Sequence, residues 1–176
     1  LALVTQSGAL CSAVLDWAKS NQVGFSSVIS LGRTTEVDFG EVLDYLSYDH
    51  RTQAILLYIE RIRDARRFMS ALRSVARLKP ILLLKAGRYA ADAEPLADER
   101  TLASDAVFDA AIRRVGVVRV KTIGQLFYAA KALTTKFHPP GRRLAIMSNG
   151  RGPGAMAADR AVDLGIIVAE LSTQTR

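Results

Sequence analysis

The chain of 176 residues is long enough for one ordinary domain, or for one domain and part of a second. Its 49% hydrophobic and 23% charged residues are the balance of a chain that buries a core, which excludes a disordered protein. The net charge of +7 is spread along the sequence and not gathered in one tract, so no nucleic-acid partner is expected.

Leu1-Ala-Leu-Val-Thr5 opens as a buried strand. No charged region, hydrophobic stretch and cleavage site come first, so no signal peptide is expected. Leu10, Val14, Trp17 and Ala18 then recur at helical spacing. Cys11 falls in this helix and is expected as a buried thiol. As the single cysteine it excludes a disulfide scaffold and a cysteine-based zinc site, and the expected compartment is the cytoplasm. Phe25 to Ser30 reads as a second strand, and Val42, Leu43 and Leu46 mark a helix with Asp38 at its first turn. Ala54 to Ile59 is a third strand, apolar throughout, as in a strand covered on both faces. It is the longest clean apolar run and far too short to span a bilayer, so no membrane partner is expected. Ala65, Phe68, Met69, Leu72, Val75 and Ala76 trace one face of the next helix. Arg66, Arg67, Arg73 and Arg77 fall on what reads as its outer face, where phosphate-bearing small molecules or an acidic partner surface would use the charge. Pro80 ends that connection and Ile81 to Leu84 is a fourth strand.

Gly87 to about Ser104 is polar and reads as a long loop of the functional or mobile kind. Regular structure resumes as a helix near Asp105 to Val115, a strand Val117 to Val120 and a helix Ile123 to Leu133. Residues 136–141, with Pro139-Pro140-Gly141, read as a linker between a domain over 1–135 and the start of a second over 142–176. After the linker come a strand Leu144 to Ser148, a glycine-rich turn, a helix from about Ala155 to Leu164 and a strand Ile166 to Ala169. The alternation predicts an α/β fold, a parallel sheet with helices on both faces, and places ligands at the carboxyl ends of the strands.

Three places could carry chemistry. Ser7, Gly8 and Ala9 lie between strand and helix, where Ser7 can cap the helix and Gly8 lets the backbone approach a ligand. They form either an anion site of free N–H groups or a plain capped turn. Asn149, Gly150, Gly152 and Gly154 lie in a second such turn, with more glycine than a tight turn needs, and form either a phosphate or carboxylate cradle or a structural turn. Their spacing matches neither the dinucleotide fingerprint nor a P-loop. Glu60 ends the most apolar strand, as a ligating or catalytic acid or as a solvated partner of Arg61 or Arg63. His50 and His138 have no companion at ligand or triad spacing, so no metal is expected.

Several segments occur in a telling order: Leu3-Val-Thr-Gln-Ser-Gly-Ala-Leu10, Leu15-Asp-Trp-Ala18, Ile55-Leu-Leu-Tyr-Ile-Glu60, Lys85-Ala-Gly-Arg88, Phe108-Asp-Ala-Ala111 and Ser148-Asn-Gly-Arg-Gly-Pro-Gly154. With these the chain resembles the ligase region of the nucleoside-diphosphate-forming acyl-CoA synthetases, relatives of succinyl-CoA synthetase. The resemblance implies a flavodoxin-like domain plus the start of a second. It implies enzymes that interconvert acyl-CoA, ADP and phosphate with acid, CoA and ATP, a histidine carrying the phosphate. It also implies that this phosphohistidine is held between helix N-termini, Ser7 and Gly8 belonging to the first and Gly150 to Gly154 to the second, with Glu60 as the acid that orients it. CoA or acyl-CoA and ATP or ADP are implied for the parent protein, with CoA-binding and ATP-grasp domains as partners and a homo-oligomer as a further possibility.

The departure lies in the loop after the fourth strand. Family ligases carry Ser-His-Thr-Gly there, whereas this chain has Ala97-Asp-Glu-Arg-Thr-Leu-Ala-Ser-Asp105 and no histidine between His50 and His138. Asp98, Glu99 and Arg100 thus form a degenerate histidine loop, and Asp98 or Glu99 is a candidate to dock a carboxylate where the phosphate would sit. Ile62-Arg-Asp-Ala-Arg-Arg-Phe68 and Ala110-Ala-Ile-Arg-Arg114 look close to a branch that loses this histidine, the bacterial protein lysine acetyltransferases fused to a GNAT domain. That likeness implies a regulatory, acyl-CoA- or anion-sensing segment. The alternatives are an active ADP-forming ligase domain with a relocated phosphate carrier and a structural scaffold.

Overall fold

Ile55-Leu-Leu-Tyr-Ile59 shows no polar alternation because helices cover both faces of its strand. The computed structural model describes residues 1–32, 37–87, 105–134 and 139–175. They fall into two units, Leu1–Thr135 and Lys136–Arg176.

The first unit runs β1 (Ala2–Thr5), α1 (Gly8–Asn21), β2 (Ser27–Ser30), α2 (Phe39–Tyr48), β3 (Ile55–Ile59), α3 (Ala65–Ala76), β4 (Ile81–Lys85), α4 (Asp105–Arg114), β5 (Val118–Val120) and α5 (Ile123–Thr134). Its five strands are all parallel, in the order β2-β1-β3-β4-β5. This is the doubly wound, flavodoxin-like order, with its switch point between β1 and β3.

Alternation along the strands divides the apolar side chains between two cores. Ala2, Val4, Ile55, Leu57, Ile59, Ile81 and Leu83 meet Phe39, Leu43 and Leu46 of α2, Phe68, Leu72 and Val75 of α3, and Phe108 and Ile112 of α4. Leu3, Leu56, Leu82 and Leu84 meet Leu10 and Val14 of α1 and Leu126 and Ala130 of α5. Each fully buried Leu or Ile contributes about 1.5–3 kcal/mol of transfer free energy, so the sheet with its two helix layers is the stable part of the unit.

The helix starts follow local rules. Asp38 caps α2, accepting the Gly40 N–H at 2.6 Å, while Glu41 accepts the Asp38 N–H at 2.7 Å in a reciprocal capping box. Asp64 caps α3 by accepting the Arg67 N–H at 2.9 Å. Gly116 (φ +81) leaves α4 through the left-handed region, where other residues are strained.

Two expectations change in this unit. The second strand starts at Ser27 and not at Phe25, because pairing with β1 begins at Ala2 opposite Ser27. Cys11 is only half-buried, because Leu10, Val14 and Ala18 take the inward positions of α1.

The second unit contains β6 (Arg143–Leu144), α6 (Arg151–Asp163) and β7 (Ile167–Val168), with β6 and β7 parallel. The expected strand Leu144 to Ser148 shortens to this pair, since β7 supplies only two partners before the chain turns away. The expected helix start at Ala155 moves back to Arg151. Pro153 is the third helical residue, where a missing N–H leaves no bond unmade. Gly152 and Gly154 therefore lie inside the first helical turn and not before it.

Candidate functional site

The α1 start is shaped by the strand before it. Thr5, buried at the end of β1, accepts the Ser7 N–H at 3.0 Å and donates its hydroxyl to the Ser7 carbonyl at 3.1 Å. This turns the chain tightly out of the sheet. Ser7 keeps extended backbone (φ −103, ψ 117), and its Oγ accepts the Leu10 N–H at 3.3 Å. Gly8 and Ala9 are both exposed, and neither N–H has an acceptor among the described residues. The helix has no acid in its first turn, so its positive end is uncompensated.

Strand order sets this turn beside the one that follows β3. Gln6 joins the two. Its Oε1 accepts the N–H groups of Glu60 (2.7 Å) and Arg61 (2.9 Å), and its Nε2 donates to the Arg61 carbonyl at 2.9 Å. One carboxamide thus fixes both loops at the switch point, where doubly wound sheets bind ligands. Gln6 is not legible as a site residue in the sequence. The signal was a carboxamide between a buried strand and a helix cap, but its partner emerges only once β1 is known to lie next to β3.

Glu60 is exposed, one residue beyond β3. It follows the alternation of Tyr58, which packs on the α1 and α5 side. Burial pushes the Tyr58 hydroxyl above its ordinary pKa, and the negative charge of Glu60 beside it pushes in the same direction. No ion pair joins Glu60 to Arg61 among the described residues.

The α6 start resembles that of α1 in kind. Gly150 is its N-cap, with extended backbone and no side-chain cap bond, and again no acid stands in the first turn. Ser148 accepts the Gly150 N–H at 3.1 Å and donates to the Gly150 carbonyl at 2.8 Å. Ser148, Asn149, Gly150, Arg151 and Gly154 line a shallow open concavity over the helix start. None of these glycines has positive φ. A Cβ at Gly150 would press on the Pro153 ring at 3.3 Å, whereas one at Gly152, as at Gly8, would meet nothing within 4 Å. Neither Gly8 nor Gly152 is required by the packing of its own unit.

The other helix starts differ. Asp38 and Glu41 occupy α2, Asp64 occupies α3, and Asp105 opens α4. Thr122 accepts the Gln125 N–H and Gln125 accepts the Lys121 N–H at the start of α5. Among the described residues those ends carry carboxylates or full caps, whereas α1, capped by Ser7 at the Leu10 N–H alone, and α6, with no side-chain cap, keep exposed first-turn N–H groups for an anion.

Asp98, Glu99, Arg100 and His138 lie outside the described residues, as does most of the long loop. The downstream anchor of that loop is described. Arg119 of β5, its side chain only 6% exposed, pairs with Asp105 and, at 3.5 Å, with Asp109, and lies 5.1 Å from the Phe108 ring centre. His50 is exposed in a turn. No group of three His, Cys, Asp or Glu suited to a metal occurs among the described residues, and no helix among them is long and apolar enough to cross a membrane.

Comparison with known proteins agrees with this geometry. Residues 1–133 match the succinyl-CoA ligase like flavodoxin domain. The chain is 40% identical over 168 residues to the alpha subunit of acetate–CoA ligase [ADP-forming] I of Pyrococcus furiosus, covering 94% of this chain and 36% of that one. It is 40% identical over 177 residues to acetate–CoA ligase [ADP-forming] I of Archaeoglobus fulgidus, covering 99% of this chain and 26% of the relative. Among solved structures, the dinucleotide-forming acetyl-coenzyme A synthetase 1 of Ca. Korarchaeum cryptofilum superposes with a TM-score of 0.82 at 29% identity, over 97% of this chain and 38% of that one. The chain therefore spans about a quarter to two fifths of the length of these relatives. With the strand order, the open α1 start and the domain match in hand, the chain belongs to the succinyl-CoA ligase-like flavodoxin domain family.

Proposed function

We propose that residues 1–176 are the ligase-like segment of a larger acyl-CoA-handling protein, which keeps anion-binding helix starts and has lost the phosphohistidine step. The observation that carries this reading is the pairing of an open α1 N-terminus at the switch point with a chain that has no histidine between His50 and His138. The N–H groups of Gly8 and Ala9 suit a phosphoryl or carboxylate oxygen, with Glu60 held nearby through the Gln6 clamp. Arg151 and Gly152 offer a similar pair at the start of α6. These groups fit the phosphoryl portion of CoA, ATP or ADP, and when present such a group would supply the acyl or phosphoryl chemistry of the parent. Within this segment the residues only bind and orient.

The parent we propose is a bacterial protein lysine acetyltransferase, in which this segment senses acyl-CoA or an anion and regulates a GNAT domain. Its partners would be CoA-binding, ATP-grasp and GNAT domains of the same protein, in the cytoplasm. Domain boundaries at 1–135, 136–141 and 142–176 belong to the same proposal. A second reading has its own support: 40% identity to ADP-forming acetate–CoA ligases favours an active ligase whose phosphate rides on another group.

Incubating the full-length parent with phosphate-labelled ATP separates the two. The regulatory reading expects no acid-labile label on residues 1–176, with lysine acetylation from acetyl-CoA present. Acid-labile label on this segment would establish the ligase reading. Neither signal would leave a scaffold that joins domains.

A further inference from the structure

The outer face of α3 carries three cations without an ion pair among the described residues. Phe68, Ala71, Leu72 and Val75 point into the core, and Arg67 reaches Glu41 of α2 at 2.9 Å. At 3.6 residues per turn, Arg66, Arg73 and Arg77 fall within about 40° of one another, opposite the buried face. All three are exposed, with exposed Ser70 on the same stripe. No acid lies within Ala65–Ala76, so no pair along the helix can neutralise them, and none of the three has an ion pair among the described residues. Arg73 and Arg77 are like charges four residues apart, which weakens a helix, but both stand at its negative end, which favours cations. Arg66, at the positive end, has neither that support nor an ion pair among the described residues.

We infer that this arginine stripe is a docking surface for an acidic protein segment, a helix bearing carboxylates at matching positions. The spacing supports that occupant. Along the axis Arg66 and Arg73 stand about 10.5 Å apart, and Arg73 and Arg77 about 6 Å. A partner helix with acids at i, i+4 and i+11 presents the same intervals, and the guanidinium fork suits a carboxylate in bidentate contact. Other occupants fit less well. The stripe has no aromatic side chain on which bases could stack. Its apolar border is the single exposed side chain of Leu78 after Arg77, with Ser70 and Ser74 flanking the arginines, too little to enter a lipid surface. α3 packs on the sheet face opposite α1, so the inference stands apart from the anion reading of the α1 start.

The test uses the full chain and a dye-labelled, alanine-rich helical peptide with Glu at i, i+4 and i+11, followed by fluorescence anisotropy at low salt. R66Q/R73Q/R77Q should weaken binding about tenfold, the sum of three exposed pairs. The charge-matched control K19Q/K131Q/R142Q, three exposed cations elsewhere, should stay within about twofold of the parent. R66K/R73K/R77K should fall between, having the charge without the fork. Equal losses in the first two variants would reduce the effect to net charge and overturn the proposal, and so would absence of peptide binding. Tighter binding of a single-stranded RNA or of phosphatidylserine vesicles, abolished by R66Q/R73Q/R77Q, would assign the stripe to a different class of partner and overturn it as well.

Discussion

Gln6 at the candidate site, and Arg119 and Asp49 elsewhere in the first unit, each make a separate prediction. Gln6 spends its whole carboxamide on the loop after β3. Gln6→Ala removes three hydrogen bonds from a partly solvated position, so a loss of about 1–2 kcal/mol is expected, read as a lower urea midpoint at unchanged slope. An unchanged midpoint would show that the loops hold their positions without the clamp. Arg119 is the most enclosed cation of the described ion pairs, and Asp105 and Asp109 face it. Arg119→Met leaves two carboxylates that water can still reach, so a loss of about 2 kcal/mol is expected. Hydrogen exchange should rise first at the start of α4. Asp49 gives a pH dependence. The Thr52 hydroxyl, at 2.7 Å, and the Arg51 N–H hold its carboxyl below the ordinary value of 3.8. The folded state then binds fewer protons than the unfolded chain in this range. The contribution is present above the unfolded pKa and disappears as pH falls through the lower folded one. Denaturant titrations from pH 6 downward should show stability falling more steeply below about pH 4 in the parent than in Asp49→Asn. Parallel curves would remove Asp49 from the account.

At the scale of elements, what decides the reading is which helix ends are closed. α2, α3 and α4 carry acids at their starts, and α5 has a reciprocal side-chain cap. α1 and α6 combine an open end with a glycine, Gly8 or Gly152, that no packing demands. Gly8→Ala and Gly152→Ala should therefore leave stability unchanged or raise it by up to about 1 kcal/mol, because alanine costs less backbone entropy in a helix. If the glycines admit an anion to the backbone, the same variants should weaken phosphate binding several-fold. Variants that lose stability and keep phosphate affinity would make both glycines structural.

The elements also show what the sequence discloses and what it withholds. The apolar runs at Ala2–Thr5, Ile55–Ile59 and Ile81–Lys85 were legible because a strand buried on both faces leaves no polar position. Ser7 was legible as a cap because its chemistry is local. The start of α6 was not, because glycine and proline read as a turn even where the first helical turn tolerates both. Gln6 was hidden for a different reason: its partners lie 54 and 55 residues away and depend on strand order.

On the scale of the whole molecule, the fold and the family are shared with relatives that are several times longer. In the function proposed above, the segment contributes binding and orientation to a larger protein. No histidine stands between His50 and His138, and in that proposal the phosphate-carrying step is lost while the open helix starts remain. The central claim is that these starts bind an anion through backbone N–H groups, and amide NMR reads those groups directly. The nitrogen-15-labelled chain would be titrated with inorganic phosphate at constant ionic strength, with chloride as the control. The account predicts saturable shifts at the amides of Gly8 and Ala9, and of Arg151 and Gly152, that chloride does not reproduce. Shifts that are absent there, or that appear instead at the acid-capped starts of α2 and α3, would contradict it.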